Sequence, residues 1–436
     1  MNAGAFLQKI VVWQHRGRAA GMASICSANR FVLRAAMLQA KADGTPVCIE
    51  STSNQVNQLG GYTGMTPRDF AKYVAGIARQ AGFPNSRILL GGDHLGPNPW
   101  QKEPAALAMP KALQLVRSCV RAGYAKIHLD ASMACADDPT PLPESTITQR
   151  AAEMCAAAED AHAHLPKGSP NPLYIIGSEV PIPGGEQKVQ LGVAITRPAD
   201  AQRTIAMSKQ AFIARGLHAA WQRVVGVVVQ GGVEFSATHV FPYHRKNARP
   251  LTRMIQKHPR LVFEAHSTDY QTPRALRELV EDHFAILKVG PWLTFAFREA
   301  LFALAGIEEE LLSSAKKAEL SRLPEVLEEV MLANPAYWKP YYHGDEAQKR
   351  LARRYSFSDR SRYYWPNPQL EAALGRLIAN LRAQEIPLSL LSQYLPRQYD
   401  QVRCGRLGND PEQLILSHIM EVTGHYARAC RGDQMA

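Results

Sequence analysis

The amino-acid sequence predicts an α/β fold, a (β/α)8 barrel followed by a helical C-terminal extension. Three observations carry this prediction. Eight short segments rich in Val, Ile, Leu or small residues, each followed by a loop signal, recur up to about residue 305. Helix-length stretches separate them, the alternation expected of a parallel sheet wound into a barrel. No G-x-G-x-x-G turn follows an early strand, so the main signal of an open doubly wound sheet is missing.

Taken in order, the expected strands are Ala23–Ser27, Val47–Ser51, Ile88–His94, Lys126–Met133, Tyr174–Val180, Val224–Gln230, Leu261–Ser267 and Ala285–Gly290. A strand covered on both faces reads as a near-continuous apolar run, as these do. Between them, Thr66 as N-cap and Pro67 as first helical residue open a helix that reaches Gln80. Pro104–Ala122, Ser145–His164 and Ala199–Trp221 have the length and periodicity of further helices. After about residue 305 the alternation stops. Ile307–Leu332 is charged and helical in period, Ala333–Pro366 is dense in Tyr, Trp, Arg and Pro, and Gln369–Leu381 and Pro411–Arg431 look helical again. The expected division is therefore a barrel over 1–305 and a helical extension packed on it over 306–436.

Composition narrows the partners. The 436 residues are 46% hydrophobic and 20% charged, which excludes a disordered chain. The net charge of +11 allows nucleic acid, membrane lipid or a phosphorylated small molecule without choosing among them. The seven cysteines are odd in number and contain no C-x-x-C pair, so neither a disulfide framework nor a structural zinc site is expected and the reading is cytoplasmic. The most apolar stretch, Trp292–Ile307, is broken by Arg298 and Glu299, and no membrane span is expected.

The chemistry lies where the strands end. A buried parallel strand should be apolar throughout, yet nearly all of these finish on polar groups: Cys26, Ser27 and Asn29; Glu50, Ser51, Ser53, Asn54 and Asn57; Asp93 and His94; His128 and Asp130; Ser178 and Glu179; Gln230; Glu264, His266 and Asp269; Lys288. Any one could be a cap or a core polar residue. In a barrel all eight ends converge on one mouth, where active sites are built. Gly91–Pro99 surrounds an adjacent Asp93-His94 pair with small residues that let a ligand approach. His94, Glu179 and His266 would form a His2Glu set with an open position, a catalytic-zinc pattern, although three residues from three strands can be chosen in many ways. His128, within the apolar Ile127-His128-Leu129, is expected to be structural.

Longer motifs carry a resemblance. Ser53–Gln58 with Gly60–Met65, Gly91–Pro97, His128–Met133, Glu264–Gln271, Leu287–Pro291 and Tyr355–Pro366 resemble the GatZ/KbaZ proteins. These are the Z subunits of the D-tagatose-1,6-bisphosphate aldolase complex of galactitol and N-acetylgalactosamine breakdown. The resemblance runs from about residue 20 to about residue 430. It implies one of three activities: a non-catalytic subunit that stabilises a separate class II aldolase, a tagatose 6-phosphate kinase, or a D-tagatose 6-phosphate 4-epimerase. No Walker A or comparable glycine-rich phosphate loop is visible, which disfavours the kinase.

The family's likeness to zinc-dependent class II aldolases implies roles. Asp93 and His94 match the aldolase pair of acid/base and metal ligand, His266 matches a ligand closing a later strand, and Asp130 matches an Asp of the fourth strand. Gly177–Glu186 resembles a strand end and Gly-Gly-Glu loop that carry acids. One departure is visible: Gln230-Gly231-Gly232 stands where aldolases place a second ligand His, which favours Glu179 as third ligand. The expectation is a metal-dependent epimerase, the metal being zinc, that converts D-tagatose 6-phosphate to D-fructose 6-phosphate. His94, Glu179 and His266 hold the metal, Asp93 and Glu186 move protons, and Ser27, Glu50, Asn54, Asp130, Gln230, Asp269 and Lys288 hold the sugar. Arg360, in the Arg- and Tyr-rich run Arg350–Trp365, is the expected phosphate clamp. The alternative is an interaction protein that supports a class II aldolase subunit. Self-association is left open, and nucleic acid and membrane are not expected partners.

Overall fold

The structure, a computed structural model, describes residues 2–177, 193–312 and 319–431. Eight parallel strands close into a barrel: β1 (Met22–Cys26), β2 (Val47–Thr52), β3 (Ile88–Leu95), β4 (Lys126–Leu129), β5 (Leu173–Ile176), β6 (Val224–Val228), β9 (Val262–Ala265) and β10 (Phe284–Val289). Neighbours in sequence are neighbours in space, and β10 pairs with β1 to complete the ring. A two-stranded antiparallel ribbon, β7 (Glu234–Phe235) and β8 (Val240–Phe241), lies between β6 and β9 in the chain. The expected (β/α)8 barrel is therefore present. The Thr66 capping box closes the start of helix Pro67–Ala81, with reciprocal bonds between Thr66 and Asp69.

Period two sorts each strand into an inner and an outer face. The lowest inner layer is apolar. Met22, Cys48, Leu89, Ile175, Val262 and Ile286 share a cluster with Leu7, Ile10 and Val11 of helix Ala3–His15, which stoppers the N-terminal end of the barrel. Two residues further along the strands, Glu50, Lys126, Glu264 and Lys288 form a charged layer. Two further again come Cys26, Asp93, His128 and His266. Gly91 occupies the charged layer's position on β3, and a Cβ there would lie 2.6 Å from Glu50 Oε1. Glycine leaves room for that carboxylate.

The outer core is continuous from the barrel helices into the extension. Phe31 stacks on Phe297 at 5.1 Å, and Phe297 meets the edge of Trp365 at 5.0 Å. Helix Pro411–Arg431 packs on Arg30–Ala42, Pro273–Glu281 and Pro291–Leu312. Its C-terminal end returns to the barrel: the Gly21 N–H donates to the Cys430 carbonyl at 2.8 Å, and the Tyr426 hydroxyl to the Thr268 carbonyl at 2.8 Å. Residue 305 falls inside the helix Pro291–Leu312. No helix among the described residues is long and apolar enough to cross a membrane.

Candidate active site

The site begins with the buried charges under the mouth. Lys126 Nζ donates to Glu50 Oε1 at 2.5 Å and lies 2.6 Å from Glu264 Oε2, all three side chains being fully buried. Lys288 Nζ joins the other Glu50 oxygen and lies 2.9 Å from Asp93 Oδ1. Burial disfavours the charged carboxylate of Glu264, but Lys126 and Lys288 outweigh it and hold that carboxyl well below its ordinary range. Burial likewise opposes charge on Lys288, and Asp93, Glu50 and Glu264 push its ammonium well above the ordinary value. Each charge is compensated by opposite charges, which is what makes a charged layer inside a barrel tolerable.

Three imidazoles sit on this layer. The ring centroids of His94, His128 and His266 are 4.9 to 5.4 Å apart. Each ring has one nitrogen engaged by an outer acceptor. His94 Nδ1 meets Asp130 Oδ2 at 2.6 Å, His128 Nε2 meets the Gly177 carbonyl at 2.8 Å, and His266 Nε2 meets Glu264 Oε1 at 3.0 Å. The opposite nitrogens face one another and Asp93. His94 Nε2 and His266 Nδ1 are buried without a hydrogen-bond partner, and His128 Nδ1 lies 3.1 Å from Asp93 Oδ1. One ligand atom from each of Asp93, His94, His128 and His266 lies within 4.8 Å of the others. Imidazoles tied through one nitrogen to a carboxylate or carbonyl, with the other converging, are the usual outer-shell arrangement of a metal site; here that second nitrogen is free in His94 and His266, while His128 Nδ1 also accepts the His94 backbone N–H at 3.2 Å. The donor set therefore fits a divalent ion of the zinc type.

The backbone is bent to make this possible. His94 and Ser267, at the ends of their strands, have φ of +46° and +52°, and Tyr270 beyond β9 has +63°. Such conformations cost non-glycine residues of the order of 1–3 kcal/mol and gather at functional sites. Gly96 lets the chain pass Asp130, since a Cβ there would lie 1.6 Å from the Asp130 carbonyl oxygen.

Burial opposes charge on Asp93, but His94 and Lys288 hold its carboxyl well below the ordinary range. Burial opposes charge on His94 too, and Asp93 and Asp130 raise its imidazole to about 9. Burial lowers His266 to about 4 against the pull of Glu264. Asp269 is pushed up to about 6 by burial, although its Oδ1 accepts the Gly290 N–H at 3.0 Å and the Trp292 N–H at 2.8 Å.

The expected site residues separate. Asp93, His94, Asn54, Asp130, Asp269 and Lys288 line one cavity of about 320 Å³ at the mouth, together with Cys26, Gln55, Tyr62, Arg362 and Tyr363. His266 lies just beneath. Glu179 and Glu186 lie outside the described residues. Five expectations change. Glu50 is fully buried, with both oxygens taken by the two lysines, so it supports the site from below rather than holding sugar. Gln230 ties the turn after β6, its Oε1 accepting the N–H groups of Gly232 and Val233 at 2.8 and 3.1 Å, and does not line the cavity. Ser27 lies in an adjoining cavity, where its Oγ accepts the Asn29 N–H at 3.2 Å. Arg360 is buried with its guanidinium 3.4 Å over the Tyr341 ring, outside both cavities, and Arg362 stands at the mouth instead. His128, expected to be structural, is a member of the imidazole cluster.

A parallel barrel with its polar side chains gathered at the C-terminal mouth is the (β/α)8 class that builds catalytic sites there. Within that class the chain belongs to the D-tagatose-1,6-bisphosphate aldolase subunit GatZ/KbaZ-like family, whose model matches residues 7–431. Membership places it in carbohydrate metabolism. It is similar to a probable tagatose 6 phosphate kinase from Sinorhizobium meliloti 1021: 47% identity, 94% of this chain and 100% of that one covered, and a TM-score of 0.86. A fructose-bisphosphate aldolase from Campylobacter jejuni aligns over 87% of this chain and 93% of its own, at 14% identity and a TM-score of 0.44.

Proposed function

We propose that the chain is a metal-dependent 4-epimerase that interconverts D-tagatose 6-phosphate and D-fructose 6-phosphate in the cytoplasm. The observation that supports it is the cluster of three imidazoles, each tethered through one nitrogen, facing Asp93 beneath a polar cavity. In this reading His94, His266 and His128 hold the ion, zinc being the first to test, and Glu179 remains a candidate ligand. When bound, a divalent ion polarises a ketose carbonyl. Asp130 and Glu264 keep the imidazoles oriented. Asp93, kept ionised by the Lys288 ammonium 2.9 Å away, takes the proton from the C4 hydroxyl. That allows C3–C4 cleavage, rotation of the aldehyde and closure on its other face, with Asp93 returning the proton. Glu186 is the proposed second acid/base, and Asn54, Asp130, Asp269 and Lys288 hold sugar hydroxyls. Residues 1–305 supply the metal and proton chemistry and 306–436 close the mouth. No glycine-rich phosphate loop supports a kinase.

Purified protein supplied with zinc or another divalent ion should convert D-tagatose 6-phosphate to D-fructose 6-phosphate, followed by a coupled assay for the product. No conversion, together with no metal retained after dialysis, would end this reading.

The family's description as an aldolase subunit supports a second reading, a non-catalytic partner of a class II aldolase subunit. Co-expression with such a subunit should then raise that subunit's activity and melting temperature, and a triple substitution of the imidazoles that left the protein folded would not remove the effect.

A further inference from the structure

We propose that Arg362, delivered by the C-terminal extension, binds the phosphate of the substrate at the barrel mouth. The inference rests on the phosphorylated-ketose reading above and names the group that recognises the anion.

The other candidate anion sites at this mouth are already filled. Barrels often bind phosphate at backbone amides after the last strands. Here the first amides after β10, Gly290 and Trp292, both donate to Asp269 Oδ1, so the chain's own carboxylate occupies that place. The Lys288 ammonium is held between Glu50 and Asp93. Arg360 is buried against Tyr341 and touches neither cavity.

Arg362 is different in each respect. It is half-buried and lines both the 320 Å³ cavity and the adjoining one of about 170 Å³, which share Cys26, Gln55, Tyr62 and Gly290 as walls. Among the described residues no carboxylate lies within 4 Å of it, whereas most arginines of the extension have one. Its Nη1 donates to the carbonyls of Ser358 and Asp359, and its Nη2 to the Tyr363 hydroxyl at 3.2 Å. Those bonds fix the plane of the guanidinium. They leave Nε–H without an acceptor among the described residues, beside Nη2 on the edge that grips an oxyanion in two bonds. The turn that carries it is pinned: Asp359 adopts φ of +40°, accepts the Ser361 hydroxyl at 2.6 Å and is bonded by Thr294 of helix Pro291–Leu312. The donor is therefore preorganised at the mouth before any ligand arrives.

The test measures binding to metal-loaded, full-length protein by calorimetry, with D-tagatose 6-phosphate, D-tagatose and inorganic phosphate as probes. Arg362→Met is expected to weaken the two phosphorylated probes by about 10- to 100-fold, the range for charge-assisted hydrogen bonds, while D-tagatose binds as before. Arg362→Lys should recover part of the loss. Unchanged affinity for D-tagatose 6-phosphate in the Met variant overturns the proposal, as does an equal loss for sugar and sugar phosphate, which would mark a structural role. If the Met variant fails to fold, the same comparison on Arg362→Gln, which keeps hydrogen-bonding capacity and removes the charge, decides by the same two outcomes. Binding that depends on Arg362 in a protein that converts nothing would defeat the epimerase and keep this inference. Conversion with KM untouched by the substitution would do the reverse.

Discussion

At the scale of single residues, the site is governed by which nitrogen of each imidazole faces the cluster, and Asp130 decides this for His94. Replacing Asp130 by Asn keeps the shape and removes the charge that orients the ring. We expect Asp130→Asn to weaken metal affinity by about 10- to 100-fold, read by competition with a chromophoric chelator; equal affinity would dismiss the tethering argument. The charged layer below makes a second prediction. Lys126 is enclosed with Glu50 and Glu264. Lys126→Met strands carboxylates in the interior and should cost about 3–5 kcal/mol of unfolding free energy in urea. Lys126→Met with Glu264→Gln should cost less than the single change, because one stranded charge goes with the lysine. Much of this was legible in sequence as polar strand ends. His128 was not, because its neighbours Ile127 and Leu129 suggested core. They are the outward face of β4; Lys126, His128 and Asp130 are two apart and share the inward one, so the period was the signal to follow. Arg362 could not be told from Arg360 in advance, since a left-handed Asp359 aims the turn and no residue pattern announces that.

At the scale of elements, all eight barrel strands were legible, because each is a short apolar run closed by a loop signal. Their C-terminal ends were less so. Lys126–Met133 stops at Leu129, and the polar residues after it enter a turn in which the Ser132 N–H donates to Asp130 Oδ1 at 3.0 Å. Helix Ala3–His15 is not announced as a barrel element, although Leu7, Ile10, Val11 and Gln14 have helical spacing, since nothing local says that a helix will stopper a barrel. The segment after β4 is fixed by a pair with a calculable sign. Arg150 grips Asp138 through two bonds of 2.7 Å, and Asp138 also accepts the Cys135 N–H at 2.7 Å. The Arg150 bonds hold the Asp138 carboxyl down at about 2. A carboxyl lowered in the fold contributes stability that is complete above its unfolded value of about 3.9 and is lost as pH falls toward the folded one. The gap in melting temperature between wild type and Arg150→Met should therefore be constant above about pH 5 and narrow below about pH 4. A gap that widens in acid would contradict the assignment.

At the scale of the whole molecule, the extension behaves as the missing part of the barrel's surface. Leu414, Ile415, Ile419 and Tyr426 of helix Pro411–Arg431 are fully buried, in the same core as Phe31, Val32 and Leu276 of the barrel helices. Fully burying each such side chain is worth about 1.5–3 kcal/mol, while a domain's net stability is only about 5–15 kcal/mol. Uncovering the faces these residues protect therefore removes stability on the scale of the whole. A cut after residue 305 would also sever helix Pro291–Leu312, whose Leu301 and Leu304 are fully buried on one side of the cut and Ile307 on the other. We expect residues 1–305 expressed alone to be insoluble, or to bind a hydrophobic dye and melt without a cooperative transition, whereas the full chain melts sharply. A soluble fragment that unfolds cooperatively within a few degrees of the full chain would show the extension to be a separate module. The distinction bears on chemistry as well as stability. If the extension is integral, the guanidinium of Arg362 is placed with the precision of the barrel itself, and the basic, aromatic run around it is better understood as one wall of the mouth cavity than as a surface for nucleic acid.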